Sequence, residues 1–240
     1  MKKQIHSRGQ TGCALYGSGA ALLLFALDAL LVRFTSTIIF FFPLCAAALI
    51  FLLVSAIWAF RSSGAGGFLV GALCAAMALV SVLLYNSLFR LLLLPSIAVL
   101  YGLQLAAVFF FCGTVSCLAA GAGASLRVSR SRGLARLRWP LHIFSLLSAL
   151  SAVAEAALVL TTPSGTSVST VFGTSSAVLA PLFQLFNLLW RAVETCTLSR
   201  AMLPLLALAA AVYCFGTRHR LRTVREIDER KLQEMRDRLL

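Results

Sequence analysis

Residues 37–60 read TIIFFFPLCAAALIFLLVSAIWAF, twenty-four positions without a single charge. At 1.5 Å per residue a helix of that length reaches about 36 Å, enough to cross the roughly 30 Å hydrocarbon layer of a bilayer. Arg33 precedes the run and Arg61 follows it, and beyond each lies another apolar stretch. Working outward, the runs 13–32, 68–85, about 94–120, 141–160 and 201–216 repeat the pattern. Their connections are short or sharply marked: residues 33–36, the turn RSSGAGG at 61–67, residues 86–90, and the arginine-rich 123–140. The tract 91–122 is too long for one upright helix and too short for two, so residues 91–95 are expected to start it at the interface or to tilt it.

Composition agrees. Sixty per cent of the 240 residues are apolar and 12% are charged, whereas a soluble domain carries about 25% charged residues. Eight Lys or Arg and five Asp or Glu crowd into the last 24 residues, which leaves thirteen cations and only Asp28, Glu155 and Glu194 in residues 1–216. A soluble globular fold, a disordered chain and a coiled coil are excluded. The fold class is an all-α polytopic membrane bundle over residues 1–216, followed by a charged helical tail over 217–240. The net charge of +13 would mark a nucleic-acid binder in a soluble chain. Here the cations stand between apolar runs and set topology instead, so nucleic acid is not an expected partner.

The first run, 13–32, exceeds the apolar core of a secretory signal and leads straight into the next run, so it is expected to remain as an anchor. Seven cysteines, without a CxxC pair or zinc-ligand spacing, read as small packing residues.

Residues 177–216 decide the number of crossings. Taken as two short spans they give seven; taken as an interfacial or re-entrant helix over 181–195 and one span they give six. With the N-terminus inside, six spans place 17 Lys or Arg inside and 4 outside, while seven give 11 and 10. The positive-inside bias selects six, with both termini cytoplasmic in a multi-pass protein of the plasma membrane. Trp58 and Trp139 then fall at cytoplasmic ends, Tyr85 at an outer end and Tyr213 near the last cytoplasmic end. In 181–195 the residues Gln184, Asn187, Arg191 and Glu194 form one polar stripe on an apolar helix about 22 Å long. Such a stripe either floats at the outer interface or turns inward to line a polar cavity.

Small residues recur at helical spacing: Gly71, Ala75 and Ala78; Gly113, Cys117 and Gly121; Ser148, Ala152 and Ala156; Ala207 and Ala211. In lipid these faces let helices approach closely.

The chemistry of catalysis is hard to find in this chain. It has no HExxH, no GxSxG and no Walker loop, its only lysines are Lys2, Lys3 and Lys231, and no serine or cysteine stands beside a histidine with an orienting acid. No enzyme activity, cofactor or metal is expected. Intramembrane carboxylates are the sharper signal, because an ionised side chain at mid-bilayer costs at least about 2.5 kcal/mol. Asp28 lies four residues before the outer end of its run and Glu155 five before the end of its own, which predicts a shared depth for both. Asp28 can reach Arg33 and the headgroups, while Glu155 needs Arg191, Arg90 or a bound cation; Gln104 reads as structural. Asp28, Glu155, Gln184, Asn187, Arg191 and Glu194 are therefore the candidate ligand-binding set.

On the inner side, Arg127, Arg130, Arg132, Arg136 and Arg138 in RVSRSRGLARLR are candidates for contact with anionic lipid headgroups. The tail pairs Arg222 with Glu226, Arg225 with Glu229, Glu226 with Arg230 and Glu234 with Arg238 at helical spacing. It reads as a solvated extension of the last span, and Leu232, Met235 and Leu239 offer a short apolar edge to a cytoplasmic protein partner. Two functions fit: a transport-type subunit binding a small solute or cation in an outward-facing cavity, and a non-enzymatic scaffold or sensor engaging lipid and a cytoplasmic partner. Six-span uptake subunits share the gross layout, an analogy of architecture alone.

Overall fold

The computed structural model describes residues 2–35, 38–90, 97–128, 132–161 and 198–237. Nearly all of them are helical: α1 Lys2–Thr35, α2 Ile38–Ser63, α3 Gly66–Arg90, α4 Ile97–Val128, α5 Arg132–Arg136, α6 Arg138–Thr161 and α7 Leu198–Asp237. A backbone inside hydrocarbon must satisfy its own N–H and C=O groups, which a helix does within one segment. Six of these helices, all but α5, are long and apolar enough to cross a membrane, as expected of a multi-pass membrane protein.

The helices run past the apolar stretches at their charged ends. α1 begins eleven residues before its apolar run, and α7 continues without a break through Gly216 to Asp237, so the charged tail is the last span prolonged. The turn between α2 and α3 rests on Gly64, whose φ of +69° a side chain would strain and whose N–H donates to the Phe60 carbonyl at 2.7 Å. Within the basic loop the chain forms the short α5 and re-enters helix at Arg138, with Pro140 in the first turn where its missing N–H costs nothing.

α1, α2, α3, α4, α6 and α7 each pack on the next, and α7 packs back on α1 along its length to close the ring. Phe25 of α1 stacks on Phe111 of α4 across the middle, ring centroids 3.9 Å apart. Ser7 of α1 donates to the Ser62 carbonyl at the end of α2, and Arg8 of α1 pairs with Asp228 of α7. The start of α1, the distal part of α7, the α2–α3 turn and α5 therefore share one face, where the described arginines Arg127, Arg136 and Arg138 also lie. α6 ends and α7 begins at the opposite face, a relation that six crossings give and seven do not. The 181–195 helix expected on that side lies outside the described residues.

The core is built of small side chains. Ala75, Ala78, Ala207, Ala211 and Ser148 are fully buried, as the helical spacing predicted. The tightest seam joins α3 to α4. A Cβ placed on Gly67 would come to 2.8 Å from the Gly121 nitrogen and 2.9 Å from the Cys117 carbonyl oxygen, so here one backbone lies on another. One and two turns further along, Gly71 faces Cys117 and Cys74 faces Gly113. Large apolar side chains such as Phe51, Leu73, Phe109 and Leu146 point outward instead, the distribution that suits a protein whose surroundings are hydrocarbon. Buried hydroxyls find partners: Ser18 and Ser55 meet across α1 and α2 at 2.8 Å, and Ser145 of α6 donates to the Cys112 carbonyl of α4 at 2.6 Å.

Candidate functional site

Asp28 is the one acid among the described core residues, 7% exposed on the inward face of α1. It stands one turn beyond Phe25, whose stacking on Phe111 fixes that stretch of α1 against α4. Its Oδ1 is buried and has no hydrogen-bond partner among the described residues. A buried carboxylate oxygen without a donor costs more than one that is satisfied, and in a low-dielectric interior that cost is large.

The other members of the outer set are placed less completely. Glu155 lies on α6, its side chain outside the described part, and Gln184, Asn187, Arg191 and Glu194 lie outside the described residues altogether. Asp28 and Glu155 stand on the two helices that flank α7, since α1 and α6 both pack on it. Asp28 stands seven residues before the end of α1 at Thr35 and Glu155 six before the end of α6 at Thr161. Gln104 is exposed on the bundle surface, away from the core.

At the basic face the structure gathers part of the lipid-contacting set. Arg127 at the end of α4, Arg136 of α5, and Arg138 with Trp139 at the start of α6 line an open cleft of about 380 Å³. Arg130 and the side chain of Arg132 lie outside the described part. Trp139 was legible in the sequence as an interfacial aromatic, but its place beside Arg127 depends on how α4 and α6 meet. His142, one turn deeper on α6, bonds through Nδ1 to the Ser116 hydroxyl at 2.5 Å. Among the described residues no three His, Cys, Asp or Glu side chains gather as a metal site.

The tail pairs Arg222 with Glu226 at 3.0 Å and Arg225 with Glu229 at 2.7 Å form as their spacing implies. The pair between Arg8 and Asp228 was not legible from spacing, because its partners are 220 positions apart. Compared with protein-family models, curated proteins and solved structures, the chain matches none.

Proposed function

We propose that this chain is a transport-type membrane subunit that binds a small cation or cationic solute at Asp28, approached from the face opposite the chain ends. One observation carries the reading: a carboxylate buried in the helical core whose Oδ1 has no described donor. An acid kept inside a membrane bundle at such cost is by default a binding or relay group, and a bound cation would supply the missing partner. The positive-inside bias assigns the basic face to the cytoplasm, which makes the opposite face the side of entry.

The test uses the full chain purified in neutral detergent. Sodium, potassium or magnesium chloride is titrated against N-methylglucamine chloride at constant ionic strength, and the thermal midpoint is followed. Wild type is expected to be stabilised by at least one of the three cations, and Asp28→Asn to lose that response while still folding. If wild type responds equally to N-methylglucamine, or Asp28→Asn keeps the response, the cation site is refuted.

A second reading, a scaffold that presents α7 to a cytoplasmic partner, is favoured by the length of that helix and by its tie to α1 through Arg8 and Asp228. Under this reading Asp28→Asn leaves the assembly recovered in mild detergent intact, and truncation after Arg222 dissolves it.

A further inference from the structure

We infer that the cleft formed by Arg127, Arg136, Arg138 and Trp139 is a binding site for the phosphate of an anionic lipid headgroup, independent of any cation at Asp28. Three guanidinium groups from three successive helices line one cleft. Among the described residues no carboxylate pairs with any of them; the ion pairs formed there involve Arg8, Arg222 and Arg225. Like charges gathered without a counterion repel, so the arrangement is completed by an anion from outside the chain. The carbonyl end of α4 and the amide end of α6 both reach this region with opposite partial charges, which leaves the arginines in control of the potential.

The arginines are held in place. Arg138 lies over the Trp139 ring with its guanidinium carbon 5.5 Å from the centroid. Its stem passes Gly123 of α4 so closely that a Cβ there would stand 3.0 Å from Cδ. Beside the stem, the Tyr213 hydroxyl of α7 is buried and without a partner among the described residues. A planar guanidinium fixed in this way presents its forked donors to a phosphate at little further entropic cost. About 380 Å³ falls within the size of small-ligand sites, roughly 300–1,000 Å³.

The position of the cleft decides for a lipid over a free phosphate. Trp139 and Leu137 are exposed at its rim, and Ile143, Leu146, Leu147 and Leu150 form an exposed apolar lane on α6 leading away from it into the span. A headgroup in the cleft would lay its acyl chain along that lane, and basic pockets at the ends of spanning helices take anionic headgroups in this way.

The full chain in neutral detergent is titrated with dioctanoyl phosphatidylglycerol, dioctanoyl phosphatidylcholine and inorganic phosphate, and the thermal midpoint is followed. Only phosphatidylglycerol should stabilise wild type at low concentration. Arg136→Gln and Arg138→Gln should each weaken its apparent affinity about fivefold. Gly123→Ala, which keeps every charge and displaces the Arg138 stem, should weaken it as well, and Arg136→Gln, at an exposed position, carries the test should either of the others fail to fold. Arg230→Gln, an equal loss of charge on the tail, should leave it unchanged. An equal effect of Arg230→Gln would show diffuse attraction and overturn the site. An equal response to phosphatidylcholine would overturn the charge selection. Inorganic phosphate acting as strongly as the lipid would overturn the assignment to a lipid.

Discussion

Arg8 and Asp228 form an ion pair between the first turns of α1 and the distal part of α7, closing the ring of helices at the basic face. Both side chains are part-buried, and the neighbouring Gly9 lets the Arg225 side chain lie directly against α1. Each of the two extensions beyond the apolar core is thus supported by the other.

Breaking that pair should loosen the rod without unfolding the bundle. Arg8→Ala or Asp228→Ala is expected to cost about 1 kcal/mol, the scale of a part-exposed pair, and to speed proteolysis of α7 beyond Leu221. The exchanged pair, Arg8→Asp with Asp228→Arg, should recover most of the protection. Equal proteolysis in wild type and Arg8→Ala would show that the contact contributes nothing.

Gly67→Ala should destabilise the bundle by about 1–3 kcal/mol, because the added methyl meets the α4 backbone, which has nowhere to go. Gly66→Ala one position earlier points into open space and should be close to neutral. Unfolding in graded denaturing detergent measures both, and equal midpoints would mean that α3 and α4 are not seated on each other at Gly67.

The Ser18–Ser55 hydrogen bond joins α1 to α2 inside the core. Ser18→Ala should cost about 0.6 kcal/mol, the average for such bonds between spanning helices. The double variant with Ser55→Ala should cost little more than the single one, since the first change already removes the bond. Fully additive costs would mean that the two hydroxyls do not interact.

Epitope tags placed before Met1 and after Leu240 should be cleaved or protected together in sealed vesicles, because the start of α1 and the distal part of α7 lie on one face. Protection in right-side-out vesicles is the expected result from the charge distribution. Cleavage of one tag only would contradict the closed six-helix ring.

Much of the fold could be read from residue type and spacing. The crossings followed from long apolar runs, the small-residue faces of α3 and α4 from Gly71, Gly113, Cys117 and Gly121, and the tail pairs from the four-residue spacing of Arg222 and Arg225 to their acids. These signals lie within one helix, where periodicity carries the information. What the sequence concealed depends on register between helices. Ser18 and Ser55 are single hydroxyls in apolar runs until α1 meets α2. Arg127 and Trp139 share a cleft only because α4 and α6 meet beside α5. Asp28 was legible as a candidate, but its burial in the core was not, since that depends on which face α1 turns to its neighbours.

The unbroken course of α7 has a mechanical consequence. From Tyr213 in the core to Asp237 the helix is a stiff arm of roughly 36 Å, held near its far part by Arg8. A tilt of about 5° at Tyr213 would sweep the end of a free arm of that length through about 3 Å. With α1 fastened to it at Asp228, the same tilt drags the start of the first span along. Because Phe215, Arg218 and Arg225 also lie against Gly19, Gly12 and Gly9 of α1, a load on this arm would be shared by the first and last spans.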